Sequence, residues 1–451
     1  MLKTINNNPP SPFKSIDELK DIMHLILQKA RKKGASDAEV CIEQDCGYSV
    51  DVRLKQVETV NFSNAQSIAL TLYIGKQKGS ASSTELNSTG LEQIVDAALD
   101  IAKVSAKDPC FGLADKELLT SKHPDIDLYH PWRLNTEEAI LLCKQCEEVA
   151  LADKNIVNSD GVGLANFSGA FGYANTHGAE GIIYSSRHSL SCSLVGKKKD
   201  MLQRDYAYST ARDPSNLETP EHIAEEAVGR TVKRLGAKKI KTQKAPILFE
   251  ARVASHLIAH FLHAISGGAL YRKQTFLVDS LGKQIFPANV HIQEHPYLQG
   301  ALGSSSFDAE GVTTRDNIFV KAGIVNQYVL SSYTARRLGL HTTANAGGVH
   351  NLEVSGTHPD LNSLLKLMDR GLLVTELMGN GVNIQNGDYS KGAFGYWVEK
   401  GKIKHPVEEI TIAGNLQNMF QQIIGIGKDH DKNHATRCGS ILIESMMIAG
   451  S

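Results

Sequence analysis

The chain has 451 residues, 41% of them hydrophobic and 22% charged, with a formal net charge of -1. That length exceeds what one hydrophobic core serves, so two or three structural units are expected. The near-neutral charge lacks the basic footprint of a nucleic-acid or anionic-membrane binder, and no run of eighteen apolar residues offers a membrane span.

Residues 1–34 are expected to form a flexible arm and a first helix. The opening stretch, with Pro9, Pro10 and Pro12, has no apolar region of the secretory kind. Ser15 and Glu18 form a capping-box pair, Leu19, Ile22, Ile26 and Ala30 recur at helical spacing, and Gly34 follows three basic residues as a stop. Alternation over 49–62 and 68–75 predicts strands, with 76–84 rich in turn residues, and Leu91 to Lys103 predicts a second helix. Residues 35–109 therefore form an N-terminal α+β unit.

A central α+β unit is expected over 110–236. Thr136 is the predicted cap of a helix through Val149, residues 171–196 are strand-like with glycine turns, and Thr219, Pro220 and Glu221 open a helix ending at Gly236. The basic stretch 237–244 serves as linker. Beyond it, 245–451 begins with a strand at Pro246 to Glu250 and a helix. It continues as strand-length runs divided by glycine and Asp/Asn turns, including a hairpin about Lys400-Gly401. The predicted fold class is α+β: α/β units with mixed sheets and flanking helices, then a C-terminal domain of curved antiparallel sheet or partial β-barrel.

Few motifs carry chemistry. His256, His260 and His263 fall at i, i+4 and i+7, one helix face that could hold a divalent metal. No Asp or Glu lies between Ser255 and Asp279 to activate water, so the plainer expectation is a helix with partly buried or exposed histidines. Cys143 and Cys146 sit mid-helix with no second pair to complete a metal site, which points to core residues. The seven cysteines, an odd number along a long chain, fit reduced thiols and a cytoplasmic protein. The stretches 265–270, 376–383 and 423–430 lack phosphate-loop spacing, and no nucleophile elbow of the G-x-S-x-G kind occurs.

The segments 267–286, 305–316, 331–351, 373–399, 410–416 and 438–443 resemble the PmbA (TldE) branch of the TldD/PmbA metallopeptidase family, as do 79–86, 108–119, 185–191 and 204–209. The resemblance implies a heterodimer in which a TldD-type subunit carries a helical His-Glu-x-x-x-His zinc motif completed by a C-terminal cysteine. Its substrates would be unfolded or extended peptides, in peptide maturation and antitoxin degradation. Matched to that motif, Ser255 stands at the first histidine, His256 at the glutamate, His260 at the second histidine and Cys438 at the cysteine. The resemblance thus implies no catalytic residue and no zinc in this chain, with zinc in the partner, although His256, His260, His263 and Cys438 are candidates for an adventitious metal. The alternatives are an independently active metal-dependent peptidase and a non-enzymatic peptide- or gyrase-binding protein, with a homodimer where the partner is absent.

Overall fold

The computed structural model describes residues 13–120 and 122–450; most of the expected N-terminal arm lies outside the described residues. Helix α1 (Ile16–Lys32) begins where predicted: the Ser15 hydroxyl accepts from the Glu18 N–H, and the Glu18 carboxylate accepts from the Ser15 N–H at 2.8 Å. Its buried stripe is Leu19, Met23, Ile26, Leu27 and Ala30. Strands β1 (Asp37–Arg53), β2 (Gln56–Ile74) and β3 (Gln77–Ser83) precede α2 (Ser88–Val104).

Three expectations differ from the structure. Residues 49–62 are a hairpin rather than one strand: Arg53 pairs with Gln56 across a two-residue turn of Leu54 and Lys55, at φ 49° and 63°. The turn requires left-handed backbone at both positions but carries neither Gly nor Asn, so it gave no turn signal. Helix α3 (Thr136–Leu151) explains how it is held. Its fully buried Glu147 accepts the N–H groups of Leu54 at 2.9 Å and Lys55 at 2.6 Å. The second correction is the stretch 76–84, which is mostly strand β3, folded back on β2 after a turn at Gly75 and Lys76. The cap of α3 is also one residue earlier than expected: Asn135 accepts from the Glu138 N–H at 2.9 Å.

Strands β4 (Ile156–Asn175), β5 (Glu180–Lys198) and β6 (Met201–Ala211) follow, then α4 (Pro220–Lys233) capped by Thr219. Because β1 pairs with β4, these strands join the first three in one six-stranded antiparallel sheet, ordered β3-β2-β1-β4-β5-β6. Ala38, Val40, Ile42, Val50 and Val52 of β1 alternate onto one buried face; α1 and α2 cover one end of it and α3 and α4 the other. Cys143 and Cys146 of α3 are fully buried in the second cluster.

The rest of the chain runs β7 (Gln243–Phe249), α5 (Ala251–Ala264), α6 (Gly267–Tyr271), β8 (Ile292–Glu294), β9 (Asn317–Lys321), β10 (Ile324–Val325), α7 (Ser332–Leu338), β11 (Leu352–Val354), α8 (Leu361–Met368), β12 (Gly371–Met378), β13 (Val382–Asn383), β14 (Asp388–Glu399), β15 (Lys402–Asn415), α9 (Leu416–Gln421), β16 (Ile423–Ile426), β17 (Thr436–Arg437) and β18 (Ile441–Ala449). The sequence β12-β7-β18-β15-β14 returns to β12 through its own pairing with β14, which closes a five-stranded barrel. The α+β class is as expected, and the barrel is closed rather than partial. Both faces of its strands are apolar: Ile247 and Phe249 belong to one cluster and Leu248 to another under α8. The hairpin at Lys400-Gly401 is as read, both residues having positive φ. Strand β7 opens at Gln243, inside the stretch taken as linker.

The sheet face bearing Glu39 meets the loop that carries Asp308 and Glu310. Tyr173 donates to Glu39 at 3.0 Å, and Phe307 packs on Tyr173. Burial first, and then the charge of Glu310, pushes both Glu39 and Asp308 up to about 7.

Two outcomes are expected. Glu147→Ala removes both acceptors from the Leu54-Lys55 turn and lowers stability by about 2 kcal/mol, the scale of hydrogen bonds to a charged group, in denaturant unfolding. Glu39 and Asp308 bind protons more tightly folded than unfolded, so their contribution is full in acid and is lost as pH rises through about 7. The thermal midpoint should therefore fall between pH 5 and 8. Glu310→Gln, which keeps an acceptor for the Ser332 N–H, should flatten that fall.

Candidate functional site

Helix α5 leaves β7 at Glu250 and lays Val253, Ala254, Leu257, Ile258, Phe261 and Ala264 into the core. Phe261 anchors it edge-on against Phe286, with ring centroids 4.9 Å apart. That stripe fixes the helix rotation, and the opposite side carries Ser255, His256, His260 and His263. The i, i+4, i+7 spacing holds: all three histidines lie on α5, with His256 and His263 exposed and His260 half-buried.

Their surroundings do not fit a zinc ion. The Ser255 hydroxyl is turned back to the Arg252 carbonyl at 3.4 Å. Cys438, between β17 and β18, is 1% exposed, and its thiol donates to the Gly439 carbonyl at 3.3 Å. A side chain at Gly439 would strike the Gly427 carbonyl, so the backbone there is packed tight. Burial, and secondarily Asp429, holds the Cys438 thiol protonated well above its usual range, whereas zinc takes a thiolate. Among the described residues, no three His, Cys, Asp or Glu side chains are grouped so as to hold a metal ion. The four candidates the sequence singled out are thus not brought together: three share a helix face and Cys438 is sealed in the core.

The local field disfavours protonation of these imidazoles. Burial is the main cause that lowers His260 to about 4, and the charge of Lys391 on β14 is the next; the same two causes, in that order, lower His256. Among the described residues the buried His260 Nε2 has no hydrogen-bond partner, nor has the hydroxyl of Tyr389, whose ring lies 6.2 Å from the imidazole.

Beside α5 opens a pocket of about 470 Å3, walled by β6, α4, α5 and β12. Arg230 of α4 lies 3.5 Å from Asp205 and 3.4 Å from Glu250; Arg234 lies 3.4 Å from Asp205 and 2.6 Å from Glu376. Arg252 of α5 rests over the rings of Tyr206 and Tyr208, 4.8 and 5.0 Å from their centroids. The Tyr208 hydroxyl is 2.7 Å from His434 Nε2, and burial pushes that phenol up to about 12. β6 is the edge strand of the six-stranded sheet, and its outer side is met by side chains. The Asn433 amide donates to the Tyr208 carbonyl and accepts from the Thr210 N–H, while Arg252 donates to the Tyr206 carbonyl. Sequence reasoning missed this pocket. Its one local signal was the pair of tyrosines at i and i+2 beside Arg204, an aromatic ridge on a strand.

In an NMR titration the His260 imidazole should stay neutral down to about pH 4, and Lys391→Met should raise its pKa. Because the folded state holds this proton less tightly than the unfolded chain, His260 contributes stability near neutrality. That contribution is lost as pH falls from the ordinary histidine range toward 4.

Comparison with known proteins places this geometry in context. The PmbA/TldA metallopeptidase profiles match in three parts: domain 1 over residues 38–102, the central domain over 129–235 and the C-terminal domain over 242–450. Metalloprotease PmbA of Escherichia coli O157:H7 is 46% identical over 419 residues, covering 92% of this chain and 93% of that protein. A crystal structure from Bacteroides thetaiotaomicron, described as a candidate modulator of DNA gyrase, superposes with a TM-score of 0.91 at 26% identity, covering 96% of this chain and 99% of the other. TldE from Thermococcus kodakarensis shares the fold, with a TM-score of 0.80 at 21% identity over 95% of this chain and all of its own. The chain belongs to the PmbA/TldD metallopeptidase family.

Proposed function

We propose that this chain is the PmbA/TldE-type subunit of a cytoplasmic zinc protease that cleaves unfolded or extended peptides, with a TldD-type partner supplying the zinc and this chain completing the substrate cleft. The observation that carries this reading is the chemistry at the metal-helix positions. At the positions that the resemblance matches to the family's zinc motif, Ser255 is spent on a backbone carbonyl, His256 stands in the glutamate's place, and Cys438 is a buried thiol. Such a set offers neither a closed ligand shell nor a base for water. The edge of β6, covered by side chains rather than by another strand and lined by the arginine and tyrosine pocket, is the surface we assign to the peptide. An extended chain laid along a sheet edge bonds through its backbone, and adjacent pockets then take its side chains.

Zinc measured on the dialysed chain alone should be far below one ion per chain and unchanged in His260→Ala. Peptidase activity should appear only when the chain is combined with its TldD-type partner. Near-stoichiometric zinc that disappears in His260→Ala would sink the reading and favour an independent metallopeptidase.

A further inference from the structure

The arginines of the β6, α4, α5 and β12 pocket are not equivalent. Arg230 and Arg234 share Asp205 and reach on to Glu250 and Glu376, so their charge is answered within the fold. Arg204 lies at the rim, 69% exposed and 3.3 Å from Asp160. Arg252 is unlike all three. Its side chain is only 15% exposed, its nearest carboxylate, Glu226, stands 4.0 Å off, and its Nη1 makes a long 3.4 Å bond to the Tyr206 carbonyl. Its Nη2 is buried with no acceptor among the described residues. A guanidinium presents its donors as a rigid planar fork, and a buried donor left without an acceptor costs free energy until something supplies one.

We infer that this pocket binds a carboxylate of an extended peptide, with the Arg252 guanidinium as the fork that receives it. The inference rests on the reading of the chain as a cleft-forming peptide subunit. The stem of Arg252 is fixed in the first turn of α5, and the stacked rings of Tyr206 and Tyr208 hold the guanidinium plane, so little order is lost when the anion arrives. A planar two-oxygen group matches that fork. Arg204, Arg230 and Arg234 are each paired with a carboxylate, Asp160, Glu250 or Glu376, with Asp205 shared, so Arg252 is the guanidinium left to meet a singly charged group. Val253 and Leu377 supply apolar wall for the aliphatic part of the ligand. The carboxylate comes either from the peptide's C-terminus or from an acidic side chain.

Three labelled ten-residue probes of one unstructured sequence separate these cases: one with a free C-terminus and no acidic residue, one amidated with a central glutamate, and one amidated with glutamine there. Binding is read by fluorescence anisotropy on the full-length chain assembled with its TldD-type partner, the partner's zinc chelated to stop cleavage. At least one acid probe should bind roughly tenfold more tightly than the uncharged probe, the scale of a bidentate charge-assisted contact. The tighter of the two identifies the source. Arg252→Gln should erase the difference, and Arg252→Lys, which keeps the charge and the stem, should reduce it; circular dichroism checks that each variant folds. Equal binding of all three probes, or a preference that survives Arg252→Gln, overturns the carboxylate site and leaves the peptide-subunit reading intact. Failure of the chains to assemble, or of every probe to bind, overturns that reading and the inference with it.

Discussion

Asp205 is a carboxylate 7% exposed on an edge strand, and the junction between the six-stranded sheet and the barrel depends on how its charge is answered. Taking a charge out of water costs several kcal/mol unless well-placed partners replace the lost hydration. Here Arg230 and Arg234, one helical turn apart on or just past α4, both reach it, and each continues to a carboxylate on the barrel side, Glu250 before α5 and Glu376 on β12. The guanidinium of Arg234 also lies 3.7 Å from the centroid of the Phe394 ring. One buried acid thereby fixes the relative position of β6, α4, α5 and β12, and the pocket is the space those four elements cannot fill.

The same arrangement bears on metal chemistry at α5. A zinc site gathers anionic or neutral donors around a dication, and their protons must leave. Around α5 that demand is met only in part: His260 is held neutral mainly by burial, but the charge of Lys391 lies close to it and the Cys438 thiol keeps its proton in the core. Changing one residue of α5 would leave Cys438 protonated in the core and the charge of Lys391 beside His260.

Much of the architecture was legible where local chemistry and final structure agree. The Ser15–Glu18 capping box, the Thr219-Pro220 helix start and the Lys400-Gly401 hairpin are each settled within a few residues of sequence, and the structure keeps all three. The Leu54-Lys55 turn was not legible, since its left-handed backbone is held by Glu147, over ninety positions away in the chain. Barrel closure is non-local in the same sense: it depends on β12 pairing with both β7 and β14. The three histidines were correctly put on one helix face, but spacing along a helix says nothing of what lies across from it. The pocket was invisible for that reason. Tyr206, Arg230, Arg252 and Glu376 come from four separate segments, and each alone looks like an ordinary surface residue.

The outer edge of β6 connects these points. An edge strand with unanswered backbone groups invites unwanted pairing, and proteins commonly cover such edges. Here the cover is made by side chains: Asn433, whose amide both donates and accepts as a neighbouring strand would, Arg252, which answers the Tyr206 carbonyl, and Asp205, which accepts from the Tyr206 N–H. Side chains can be displaced more cheaply than a strand, because only their rotamers need change. The edge is therefore protected against chance partners yet open to a peptide that replaces the bonds of Asn433 with its own backbone. A carboxylate that engaged Arg252 would meet the guanidinium's free donors and let go only a long, weak bond to the edge. On this view the capping of the edge and the orphaned donor of Arg252 are one design, in which β6 is sealed loosely where a chain of the right charge must enter.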